Sequence, residues 1–131
     1  MSGVPSKKTT IRIDLNNNRL CIAKDTLYAM GSPDHIQILI SSDRNMMYIK
    51  SCETKVKDSF LVPPRVYADP DYSYHLKRAA FAEAIRIATG WDDRGSYRLY
   101  GTLISPSVME FTFAQAEQLS RNSSANLVSS A

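Results

Sequence analysis

Apolar residues recur at every second position in several short runs, and each run is closed by residues that turn the chain. In TIRIDL, Ile11, Ile13 and Leu15 alternate with Arg12 and Asp14, the pattern of a strand with one buried face. Asn16, Asn17 and Asn18 follow. Asparagine tolerates left-handed backbone better than most residues, so the triplet marks a tight reversal. RLCIA then returns as the partner strand, with Leu20 and Ile22 on one face. Leu27 and Met30 stand three apart on one face of a short helix begun near Asp25 or Thr26. Gly31 suits the position just past the end of that helix, and Pro33 forbids continuation. HIQILIS alternates again with Ile36, Ile38 and Ile40 inward, SSDRN turns the chain, and MMYIKS returns it. The order is strand, turn, strand, helix, strand, turn, strand.

Residues 53–72, ETKVKDSFLVPPRVYADPDY, read as a connection. Pro63 and Pro64 with their charged flanks oppose a regular helix or a central strand. A longer helix is expected over 72–89, with Leu76, Ala80, Ala84 and Ile87 in one stripe, widened by Phe81, Ile85 and Ala88. Asp71 or Ser73 would cap it and Gly90 would end it. SYRLYGTLI and VMEFTF form a hairpin around SPS, and AQAEQL a last short helix. The stretches MGSPDHIQILISSDRNMMYIK and TGWDDRGSYRLYGTLISPSVMEFTF share a plan of helix end, glycine, acidic turn, strand, turn and strand, which either duplication or chance explains.

The expected organisation is a flexible tail over 1–8, a single α+β domain over 9–119 and a disordered tail over 120–131. Within the domain, halves 9–52 and 72–119 are joined by 53–71. The expected fold class is α+β: small antiparallel sheets from two hairpin units, with one short and one longer helix, assembled as a dimer. The dimer follows because a four-stranded, half-covered sheet leaves apolar surface and edges that a second chain would hide.

A chain of 131 residues, 44% hydrophobic and 22% charged, can bury one ordinary core. No apolar run is long enough to span a membrane, and MSGVPSKKTT lacks the apolar centre of a signal peptide, so a cytoplasmic location is expected. Cys21 and Cys52 then read as reduced thiols. His35 and His75 have no second ligand at metal-binding spacing, so no metal or other cofactor is expected. No catalytic residues are assigned either. Asp34 and His35 are adjacent on a strand and point to opposite faces. Asp69, Asp71, Asp92 and Asp93 flank turns, where capping explains them. The chain therefore reads as a binding protein rather than an enzyme.

Charge is distributed unevenly. Residues 1–65 hold ten Lys/Arg against six Asp/Glu, and residues 66–131 hold six against seven. Arg12, Arg19, Lys24, Arg44 and Lys50 are the candidates for phosphate contacts on a hairpin surface. A second cluster lies in GWDDRGSYRLYG, where Trp91, Arg94, Arg98 and Tyr100 combine stacking rings with guanidinium groups suited to a nucleotide. Alternation places Arg98 and Tyr100 on one strand face and Tyr97 and Leu99 on the other. Trp91, just after a helix-ending glycine, also fits the role of a core plug.

Residues 19–50 resemble the swapped-hairpin domain of AbrB- and SpoVT-like regulators and MazE-like antitoxins. LYAMG stands in the place of that family's Leu-x-x-Leu-Gly, and SSDRN in that of its acidic turn. The resemblance implies interlocked hairpins from two chains that present basic residues to DNA, and Arg19 is the position that matches the family's arginine. The whole chain looks like uncharacterised small proteins of phages and prophages of Gram-positive bacteria. Two functions are expected as alternatives. The first is a non-enzymatic nucleic-acid- or nucleotide-binding homo-oligomer, such as an AbrB-like DNA-binding regulator. The second is a phage-encoded anti-defence protein that sequesters a nucleotide signal or blocks a defence nuclease such as a CRISPR effector. The expected partners are a second copy, nucleic acid or nucleotide, and a host defence protein, with no membrane partner.

Overall fold

The computed structural model describes residues 9–119 apart from 42, 44 and 92–94. The expected tails 1–8 and 120–131, and with them Arg44 and Arg94, lie outside the described residues. The alternating runs at the start of the chain form strands as the pattern requires. Strand β1 (Thr10–Asp14) turns through a single 3₁₀ turn at Leu15–Asn17 into β2 (Arg19–Ile22). Asn18 takes left-handed backbone at φ 53°, and the Asn17 amide donates to the Asp14 carboxylate at 2.8 Å. Helix α1 (Lys24–Ala29) follows, and Gly31 turns the chain at φ 86°. Strands β3 (His35–Ser41) and β4 (Met46–Cys52) then pair as a hairpin.

The second half departs from the sequence reading. Inside the expected connection, Phe60–Leu61 forms a short strand, β5, along β3, and Pro64 opens helix α2 (Pro64–Ala68). Proline is well suited to a first helical turn, where its missing N–H has no partner to lose. The expected helix over 72–89 divides. Tyr74–Lys77 is a strand, β6, paired with β2, and only Ala79–Thr89 is helical, as α3. Tyr74 and Leu76 sit opposite Ile22 and Leu20, so cross-strand pairing overrides the helical spacing there. Strand β7 (Ser96–Ser105) and β8 (Val108–Thr112) make the expected hairpin. The AQAEQL segment is not a helix. A 3₁₀ turn at Phe113–Gln115 leads into β9 (Glu117–Leu119), which returns to β7.

These strands form one nine-stranded sheet in the order β5-β3-β4-β8-β7-β1-β2-β6, with β9 paired to β7. The expected fold class, small sheets from two hairpin units, is therefore corrected to a single sheet-dominated fold. The two hairpins do not wait for a second chain to cover their edges. Strand β7 covers β1, β8 covers β4, β6 covers β2 and β5 covers β3. The sheet curls so far that its ends approach each other. The Tyr74 hydroxyl on edge strand β6 donates to the Leu61 carbonyl on edge strand β5 at 2.9 Å. Helix α3 packs against both β2 and β3, burying Ala82 and Ile85 and leaving Ile87 exposed, and Phe81 meets Phe60 edge-on at 5.4 Å.

The concave face is the core. Ile11, Ile13, Leu20, Ile22, Met47, Ile49, Leu99, Met109 and Phe111 point inward from their strands and Ile85 from α3, all at 2% exposure or less. Gly101 belongs to this inward row, directly opposite Phe111. A Cβ there would lie 2.7 Å from Met109 Cγ and 2.8 Å from Phe111 Cε2, inside a fully buried pair. Side chains in such a core have little room to retreat. Gly101→Ala should therefore lower unfolding stability by about 1–3 kcal/mol, read as a lower urea midpoint with an unchanged slope.

Candidate functional site

The outward positions of β6, β2, β1 and β7 form two adjacent rows across the convex face. Register places His75 beside Cys21, Cys21 beside Arg12 and Arg12 beside Arg98. The next row runs Lys77, Arg19, Asp14, Ser96. Two like-charge pairs thus sit directly opposite across strands, Arg12 with Arg98 and Arg19 with Lys77. Opposed like charges destabilise a sheet, so this patch is one that packing alone would not select.

Two carboxylates temper it. The Arg19 guanidinium donates to Asp14 at 3.2 Å, and that of Arg98 to Glu117 at 3.3 Å. Glu117 also accepts the Tyr100 hydroxyl at 2.7 Å. Among the described residues Arg12 and Lys77 make no ion pair, and both are exposed. The Nε of Arg19 is buried without a hydrogen-bond partner.

The titrating groups in the patch report its field. Partial burial lowers the pKa of His75, and the charges of Arg19 and Arg12 lower it further. Burial raises the Cys21 thiol above its ordinary value, while the same two arginines pull against that rise. Burial also works to raise Asp14, but hydrogen bonds from Asn17 and Arg19 and the arginine charge outweigh it and leave the carboxyl below its usual range. The patch therefore favours anions and disfavours a second proton on His75.

The residues singled out from the sequence separate into distinct places. Arg12, Arg19 and Arg98 come together. Lys24 is drawn away to the Asp69 carbonyl beside α1. Lys50 lies on β4 next to Val108, which faces Ser105 on β7. That is seven residues, roughly 23 Å along the strand, from Arg98. Trp91 does not join Arg98 and Tyr100. It stacks on inward-facing Tyr97 with centroids 3.7 Å apart and meets Phe113 edge-on at 5.9 Å. A groove of about 350 Å³ remains beside it, lined by Trp91, Asn45, Phe113 and Gln118 among others. Lys77, His75 and Glu117 complete the patch but were not found from the sequence. The alternation in YHLK is the signal that could have placed the first two on a strand.

Among the described residues, no group of three or more His, Cys, Asp or Glu could hold a metal ion, and no helix is long and apolar enough to cross a membrane. The site is thus a shallow cationic sheet surface, a class of site that recognises anions by charge and by guanidinium geometry. No family model, curated protein or solved structure matches the chain.

The electrostatic account has a direct check. Arg19→Gln should move the His75 pKa upward toward its ordinary value, and Arg12→Gln should do so to a lesser degree. An NMR titration of the imidazole carbon-bound protons measures both.

Proposed function

We propose that this chain is a non-enzymatic nucleic-acid-binding protein that holds the phosphate backbone on the convex face of β6, β2, β1 and β7. The observation that carries the reading is the pair of opposed like charges, Arg12 with Arg98 and Arg19 with Lys77, set side by side on one face. A polyanion laid across the rows relieves both repulsions. The resemblance of residues 19–50 to AbrB-like domains favours DNA as the polyanion. The nucleotide reading has less support, because Trp91 and the Arg98–Tyr100 pair lie on opposite faces of β7.

Binding of this kind is sequence-tolerant and strongly dependent on salt. Fluorescence anisotropy with a random duplex should show affinity falling steeply between low and physiological ionic strength. Arg12→Ala and Lys77→Ala should each weaken binding and flatten the logarithmic salt slope by about 0.9. Absence of any duplex or single-strand binding at low salt would remove the proposal.

Protonation is linked to binding. Phosphate close to His75 offsets the field that lowers its pKa, so the bound state takes up a proton more readily than the free state. Affinity should therefore rise as pH falls through the His75 titration, and His75→Ala should flatten that dependence. The check is anisotropy repeated across pH at fixed ionic strength.

A further inference from the structure

The other part of the convex face, on β3, β4, β8 and the end of β7, has a different character. Leu39 and Ile104 are 55% and 47% exposed, and with Tyr48 and Val108 they line a shallow hollow of about 430 Å³. The register bulge between Leu103 and Ser105 interrupts β7 at Ile104. Lys50 and Glu110 are the two charges of this patch. Neither makes an ion pair among the described residues.

Their placement is self-complementary. Lys50 sits opposite Val108, and Tyr48 sits opposite Glu110. The four residues form a block in which the cation and the anion occupy one diagonal, Tyr48 and Val108 the other. A two-fold axis lying in the interface along the Tyr48–Val108 diagonal would bring Lys50 of each copy over Glu110 of the other. The same axis would put Tyr48 against Tyr48 and Val108 against Val108. This is the isologous arrangement that a symmetric dimer requires, with the strands of the two copies crossing steeply, as in orthogonal sheet packing.

The area suits a modest dimer. About four strands spaced 4.8 Å apart, and six residues at 3.3 Å each, give a patch of roughly 19 by 20 Å. Two copies would together bury about 760 Å², below the roughly 1,000 Å² of a stable specific interface and in the range of a weak, reversible dimer. We infer that the convex face of β3, β4 and β8 is a homodimer interface, with a second copy of this chain as its occupant and two reciprocal Lys50–Glu110 ion pairs fixing its register. The inference does not rest on the nucleic-acid reading, since the cationic rows lie on β6, β2, β1 and the opposite end of β7.

Sedimentation equilibrium from low micromolar to millimolar protein tests it. A reversible monomer–dimer equilibrium is expected, with a dissociation constant on the order of 10–100 µM. Lys50→Glu alone and Glu110→Lys alone each set two like-charge contacts in the symmetric interface and should weaken the dimer by at least about tenfold. The double variant restores opposite charges and should restore dimerisation. Circular dichroism and thermal melting of each variant show that the fold is retained, and duplex anisotropy reports the cationic rows separately. A monomer at every concentration overturns the inference and leaves the face to a different partner. A dimer insensitive to both single reversals, or single losses that the double variant does not repair, overturns it equally.

Discussion

Strand β7 holds the molecule together, because its two halves pair with different strands. Its first half lies between β1 and β9, and its second half faces β8. The two early hairpins have no direct ladder between them. They become one sheet only because β7 and β8 stand between β1 and β4. The crossing point is Gly101, whose N–H donates to the Thr9 carbonyl at 2.7 Å and whose carbonyl accepts the Thr9 hydroxyl at 3.0 Å. A side chain at that point would enter the space of Met109 and Phe111, so close backbone approach and dense packing are satisfied together.

The two faces of the sheet divide the work. The concave face is apolar and packs against the buried side of α3, where Arg86 donates to the Leu15 carbonyl at 3.0 Å and fixes the helix against the first turn. The convex face is divided between charge and apolar surface. Its cationic rows gather on the strands from β7 to β6, while its apolar hollow gathers on the strands from β3 to β8. Curling carries these two regions around the molecule, away from each other. A polyanion and a second protein copy could therefore be held at once without competing for the same side chains.

Much of the first half was legible in the sequence, because its signals are local. Alternation in TIRIDL and HIQILIS, the asparagine triplet and the Gly31–Pro33 stop each act within a few residues. The second half was misread where distant partners decide the outcome. YHLK shows period two only over four residues, and helical spacing of Leu76 with Ala80 was the more visible pattern until β2 supplied a ladder. Pro63 and Pro64 read as breakers in the sequence, whereas Pro64 begins α2. The same error hid half of the candidate site. Arg12, Arg19 and Arg98 were visible as outward strand positions. Lys77 and His75 were lost to the supposed helix, and Glu117 to another. Lys24 and Lys50 were grouped with the arginines on charge alone, and charge carries no information about which end of a sheet a residue will occupy.

The seam between β5 and β6 sets how this sheet can move. No backbone ladder joins the two ends. The Tyr74 hydroxyl reaches across to Leu61 and the Arg78 guanidinium lies over the Phe60 ring at 5.4 Å, and burial has pushed the pKa of the Tyr74 phenol well above its ordinary value, with Tyr67 adding to the rise. A closed barrel has a circumference fixed by its hydrogen bonds, so its bore can change only if ladder bonds break. Here the wall is a spring with a slit. A change of bore at this slit would cost side-chain contacts and leave the ladder bonds in place, and the curvature of the cationic surface would change with it.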